Sequence, residues 1–306
     1  MIFVVILILL TLTALGGSWY AYHKAFYSPM EGRGEVKPVK GENYDPYRPE
    51  MRRIYQQLKE RPFETVSVES HDGLTLTGRY YHVKDGAPLD IGFHGYKSNP
   101  YTDFSGGSEL IFQMEHNLLL VDQRAHGSSY GRTISFGILE RQDLLRWVDY
   151  SIGRFGSDVK ILLYGVSMGG ATVLMASELP LSDNVKGIVA DCPYSSPLEI
   201  IQDVGKKMGL PGWLIRPFAI FGARIFGGFD LTECDAREAV KHAKVPILII
   251  HGESDGFVPQ EMSDIVQSNP RMITRHTFPN ADHGISYLVD TPRYQKLVKE
   301  FVSSVL

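Results

Sequence analysis

The sequence predicts an α/β fold with a mostly parallel central sheet flanked by helices. Three observations carry this. Short apolar runs with strand character alternate with helical stretches along most of the chain, the rhythm of parallel β-α-β units. Gly165-Val166-Ser167-Met168-Gly169 stands between one such run, residues 159–164, and a small-residue apolar run, 170–176, with helical character. Residues 196–242 separate two strands by far more than a crossover helix requires, which predicts an insertion.

The first 23 residues contain no Asp, Glu, Lys or Arg, and residues 2–10 are apolar without a break. Trp19, Tyr20 and Tyr22 close the stretch as an interfacial aromatic belt would. About 20 such residues span a bilayer, so 1–23 reads as a transmembrane anchor. The rival is a cleaved signal peptide. Ala14-Leu15-Gly16 resembles a small-x-small cleavage site, but the basic residue expected before the apolar run is missing. Lys24, Arg33, Lys37 and Lys40 follow the span and nothing basic precedes it. A retained anchor then makes this a single-pass protein of the cell membrane, with the charge bias placing the remainder in the cytoplasm and the opposite side left as the alternative; cleavage would make it secreted.

Residues 24–61 read as a Pro- and Gly-rich tether ending in a short basic amphipathic helix over 51–60. Residues 62–306 form the globular domain. Two period-two runs, 65–68 and 74–81, flank the turn signal His71-Asp72-Gly73 and predict a hairpin. Strands follow at 88–93, 117–122, 159–164, 185–191, 245–250 and 272–278, with helices at 139–155 and 294–306. The insertion carries Trp213, Leu214, Ile215, Phe218 and Phe221. It would lie over the strand C-termini, where open α/β sheets bind ligands, and reads as a helical lid. Its alternative is extra core packing, and its aromatics could also meet lipid beside the anchor.

Of 306 residues, 43% are hydrophobic, enough for one large domain plus an appendage. The net charge of −4 and the lack of a basic stripe give no reason to expect a nucleic-acid partner. Cys192 and Cys234 have neither CxxC nor Cys/His spacing, so no metal is expected. They read as two reduced thiols, with a disulfide as the alternative.

A Gly-x-Ser-x-Gly between strand and helix is a nucleophile elbow. Its glycines are needed because flanking side chains would strike the adjacent strand and helix. A serine hydroxyl needs a base, and the base an orienting acid; in the fold that carries this elbow they follow the serine in the order acid, then histidine. Asp255 lies in the loop after the strand ending at Ile250, with Pro259 opening a helix beyond. It is preferred over Asp191, Glu253 and Asp282 by that context. His283 lies in the Gly-flanked loop after the last strand, whereas His242, His251 and His276 do not. The oxyanion donors are expected to be the backbone N–H groups of Met168 and Tyr96. The His94 side chain reads as shaping its own loop, and 122–129, with His126, as a structural turn. Asp282 reads as a solvated or capping residue.

Gly165 to Gly169, His94-Gly95, Asp122 to Ser128, Asp255 and His283 together resemble the α/β-hydrolase superfamily, from about Pro62 to the C-terminus. Within it the chain is similar to serine-aminopeptidase-like and feruloyl-esterase-like lipases and esterases, and to membrane-anchored bacterial hydrolases with one N-terminal span. The resemblance implies a Ser167-Asp255-His283 triad working without metal or organic cofactor. It implies hydrolysis of a small-molecule ester, thioester or amide, with carboxylic acyl esters commonest. An aminopeptidase-like enzyme would also need a carboxylate to hold the free amine, for which Glu199, Asp203, Asp230 and Glu233 are available. A serine carboxylesterase working through an acyl-enzyme is therefore expected. A peptidase or amidase with the same triad and a non-catalytic binding protein are the alternatives.

Overall fold

The computed structural model describes residues 1–33 and 41–306. Eight strands form one sheet: β1 (Glu64–Glu69), β2 (Thr75–Tyr81), β3 (Leu89–Phe93), β4 (Asn117–Asp122), β5 (Ile161–Val166), β6 (Val185–Asp191), β7 (Ile247–Gly252) and β8 (Ile273–Phe278). Their spatial order is β1-β2-β4-β3-β5-β6-β7-β8. The hairpin β1–β2 joins the sheet antiparallel, and every pair from β4 to β8 is parallel. This is the mostly parallel sheet that the sequence predicts. β5 is displaced two residues from its expected span, because its pairing with β6 continues to Val166 opposite Asp191. The strand therefore delivers the chain straight into the elbow.

The helices are α1 (Ile2–Ala21), α2 (Arg48–Glu60), α3 (Pro100–Gln113), α4 (Glu140–Phe155), α5 (Met168–Ala176), α6 (Pro197–Lys207), α7 (Gly212–Gly222), α8 (Ala236–Ala239), α9 (Ser286–Val289) and α10 (Thr291–Val305). The sheet residues alternate between two cores, as the period of a strand requires. Leu119 and Val121 pack with Leu144, Trp147 and Val148 of α4. Leu118 and Leu120 pack with Leu110 and Ile111 of α3 and Val298 of α10. α3 was not expected from the sequence. Asn99 caps it by accepting from the Thr102 amide, and Pro100 occupies its first turn.

The segment between β6 and β7 holds α6, α7, a π-helical turn (Ala223–Gly227) and α8. α1 is long and apolar enough to cross a membrane, with mean hydropathy 2.3, and is almost wholly exposed. Residues 34–40, part of the expected tether, lie outside the described residues. On their N-terminal side the chain is held against the domain. Phe26 is fully buried, edge-on to Phe136 and Phe229. The Ile134 amide donates to the Phe26 carbonyl at 2.8 Å, and Arg33 donates to the Gly131 carbonyl at 2.7 Å. On the other side, α2 buries Ile54 and Leu58.

Trp147 is the largest fully buried side chain and meets the sheet at Gly78. Trp147→Ala is expected to cost about 3–5 kcal/mol, read as a lowered midpoint of thermal unfolding.

Candidate active site

β5 ends at Val166 and α5 begins at Met168, so the whole reversal falls on Ser167. Ser167 is held at φ 55°, ψ −115°, a conformation few non-glycine residues adopt. Its amide donates to the Asp191 carbonyl at 2.8 Å. The flanking glycines are a matter of space: a Cβ on Gly169 would land on the Phe93 carbonyl, and one on Gly165 on the Gly169 carbonyl. β3, β5 and α5 can approach this closely only without those side chains.

The loops after β7 and β8 bring the other groups to Ser167. His283 Nε2 lies 3.0 Å from Ser167 Oγ, and His283 Nδ1 lies 2.8 Å from Asp255 Oδ2. Asp255 is fixed through its second oxygen, which accepts the Phe257 and Val258 amides at 2.9 and 2.8 Å. His251 Nε2 donates to the Val258 carbonyl at 3.1 Å and approaches Asp255 Oδ2 at 3.2 Å. Asp282 staples the two loops together. Its Oδ1 accepts from the amides of Gly256 (2.9 Å) and His283 (2.7 Å), and its Oδ2 accepts from Asn43. Tyr44 Oη donates to the His283 carbonyl at 3.1 Å. The Asp282 role goes beyond the capping expected, and Asn43 and Tyr44 gave no signal in the sequence. Pro259 opens only a single 3-10 turn (Gln260–Ser263) rather than a full helix.

Charge follows this geometry. Burial would raise the Asp255 carboxyl, but hydrogen bonds from His251 and His283 outweigh it and hold it below the usual carboxylate range. Burial opposes charging His283, but the Asp255 hydrogen bond and negative charge outweigh that and raise the imidazole above its ordinary value. Asp191 is differently placed: its Oδ2 accepts from Tyr294, and burial lifts its carboxyl to about 6.

The loop after β3 passes beside Ser167, where a Cβ on Gly95 would lie 3.3 Å from that of Ser167. Asp103 accepts the Gly95 amide at 2.6 Å and the Ser98 hydroxyl at 2.7 Å. His126 Nε2 accepts the Lys97 amide at 2.9 Å, and His94 Nε2 accepts the Gln123 amide at 3.2 Å. His94 and His126 thus shape the loop. The Met168 and Tyr96 amides donate to no group among the described residues.

Cys192 and Cys234 are both free and buried. Cys192 Sγ lies 4.0 Å from His283 Nε2, and the potential ligand atoms of Cys192, Asp255 and His283 fall within 4.8 Å of one another. They make a poor metal site. Burial drives the Cys192 thiol well above its ordinary value, keeping it protonated, and the other two groups bind each other. His71, Asp72 and Asp143 also cluster, but Arg124 already engages both carboxylates.

Above Ser167 lies a cavity of about 350 Å³. Tyr96, Phe136 and Tyr194 line it from the domain, Val204 and Phe218 from the insertion, and Phe257 from the β7 loop.

An alcohol, an imidazole and a carboxylate in hydrogen-bonded series, with two undonated amides nearby, can pass a proton and stabilise an oxyanion. NMR titration of the His283 ring is expected to give a pKa above about 6.5, the ordinary histidine value. In Asp255→Asn it should fall, since burial then acts without the opposing charge.

A family model described as the alpha/beta hydrolase family matches residues 93–294. The YqkD protein of Bacillus subtilis strain 168, whose own function is uncharacterized, is 27% identical over 264 residues, covering 82% of each chain. Among solved structures, an esterase of Pyrococcus furiosus aligns with a TM-score of 0.66 at 21% identity, over 92% of this chain and 98% of that one. Est1E of Butyrivibrio proteoclasticus, solved with ferulic acid bound, aligns with a TM-score of 0.60 at 21% identity, over 78% and 98%. By the span of the family match and the order of its strands, this chain belongs to the α/β-hydrolase family.

Proposed function

We propose that this chain is a membrane-anchored serine hydrolase that cleaves carboxylic acyl esters through Ser167, His283 and Asp255. The observation that carries the reading is His283, within hydrogen-bond reach of Ser167 on one ring nitrogen and of Asp255 on the other. Ser167 Oγ attacks the ester carbonyl carbon as its proton passes to His283 Nε2. The tetrahedral oxyanion is held by the amides of Met168 and Tyr96. Its collapse breaks the C–O bond, and the leaving alkoxide takes the proton from His283. A water deprotonated by His283 then attacks the acyl-enzyme, releasing the acid and restoring Ser167. Asp255 stays ionised and stabilises the imidazolium formed in each half.

The insertion serves as a lid over this site and α1 as the anchor. Esters are favoured over aminoacyl amides by the carboxylates of the insertion. Glu199 is bound by Arg237, Asp203 by Lys207, Asp230 by Arg224 and Glu233 by Arg141. None of the four is among the residues lining the cavity, so none is offered to a substrate amine. The Pyrococcus furiosus esterase that shares this fold agrees with this reading.

Ser167→Ala is expected to abolish p-nitrophenyl ester turnover while leaving the thermal midpoint near that of the parent. Asp255→Asn should lower kcat by about 10⁴-fold, since the imidazole loses its orienting acid. Activity of the parent should fall as pH drops through the raised His283 pKa, because the protonated ring cannot accept the serine proton. Turnover surviving in Ser167→Ala would rule the reading out.

A further inference from the structure

The N-terminal helix does not stop beside the domain: its end forms part of the cavity wall. Gly17, Tyr20, Ala21, Lys24 and Ala25 all line the space that has Ser167 at its floor. The wall is held in register. Tyr96 Oη donates to the Ala25 carbonyl at 2.8 Å, Tyr22 Oη pairs with Thr133 Oγ1 at 2.9 Å, and Phe26 is buried in the domain.

α1 also packs closely on α7. A Cβ on Gly17 would lie 2.6 Å from the Phe218 ring, and one on Gly222 would lie 2.6 Å from the Ser18 carbonyl. The Phe226 and Tyr22 rings follow at 6.0 Å. The contacts advance together along the two segments, so the first turn of α7 points back toward the apolar half of α1.

The outer surface there is apolar and bare. Residues Ile2 to Leu10 of α1 are each at least half exposed, and Trp213 on α7 is 75% exposed. Phe221 and Ile225 are 52% and 54% exposed. Apolar side chains exposed to this extent are out of place in water and suit hydrocarbon. Beneath it, the cavity wall on the insertion side is Val204, Leu214, Ile215 and Phe218. An alkyl chain moving from bilayer to this cavity exchanges one apolar surrounding for another, so its extraction is not opposed by hydration. A volume of about 350 Å³ is within the ordinary range for a ligand site.

We infer that this cavity is an acyl chamber completed by the anchor helix, and that the enzyme takes long-chain acyl esters resident in the membrane rather than dissolved short-chain esters. The inference rests on the proposed Ser167 hydrolase and on α1 lying in a bilayer. The chain length is set by the chamber, and the anchor is part of the substrate site as well as a tether.

The full-length chain in lipid nanodiscs supplies the test. A hexadecyl fluorophosphonate bearing a diazirine near the alkyl terminus is allowed to react, irradiated, and the products mapped by mass spectrometry. Phosphonylation of Ser167 with photo-cross-links in residues 17–25 and 204–219 is expected. Phosphonylation of Ser167 with cross-links only elsewhere overturns the chamber and leaves the hydrolase standing. No phosphonylation of Ser167 by this probe overturns the chamber, and no phosphonylation by a short-chain ethyl fluorophosphonate either overturns the hydrolase as well. In the same nanodiscs, palmitoyl ester should exceed butyryl ester in kcat/KM by at least about tenfold, and Ala21→Trp should reduce that ratio by a similar factor. A butyryl preference, or a ratio untouched by Ala21→Trp, also overturns the inference. The cross-linking arm uses the unaltered chain and does not depend on the variant folding.

Discussion

The two hydrogen bonds of the His283 ring constrain everything around them. One imidazole must reach Ser167 at 3.0 Å and Asp255 at 2.8 Å, although these residues come from the ends of three different strands. That is possible only because β5, β7 and β8 run parallel and end on one side of the sheet. Asp282 then ties the β7 and β8 loops together, and the Val258 and Phe257 amides turn the Asp255 carboxylate toward the ring. The elbow completes the alignment. With Ser167 at positive φ and Gly169 against the Phe93 carbonyl, the hydroxyl stands at the head of α5 facing the imidazole.

Much of this was legible because local pattern and tertiary demand agree. The parallel strands are runs such as Leu118-Leu119-Leu120-Val121, buried on both faces, which leave an unbroken apolar signature. The Gly-x-Ser-x-Gly and the loops of Asp255 and His283 carry their chemistry in a few residues each. α3 was hidden by Gly106-Gly107, which weaken the helical signal. Gly106 is needed because the Tyr287 ring lies where its side chain would be. The second layer of the site was hidden for another reason. Asn43, Tyr44 and the staple role of Asp282 depend on contacts between segments far apart in the chain, and a lone Asp or Tyr carries no mark of them. The docking of residues 24–33 was similarly silent, since Pro29 and Gly32 open a stretch rich in both that reads as linker whether or not the chain packs.

The N-terminal helix joins the two themes. A tether of ordinary flexibility would leave the domain free to rotate relative to α1. Here Phe26, Tyr22 and Arg33 fasten the chain to the domain directly after the helix, and α7 packs on the helix itself. The end of α1, α7 and the cavity wall above Ser167 therefore form one packed unit.

The most direct test of the central claim is to trap the covalent intermediate. The full-length protein is mixed with p-nitrophenyl butyrate, quenched in acid at short times and analysed as peptides by mass spectrometry. The account predicts a butyryl adduct on the peptide containing Ser167, formed with a burst of p-nitrophenolate and absent in His283→Ala. Steady ester turnover with the adduct on another residue, or an undiminished Ser167 adduct in His283→Ala, would contradict it.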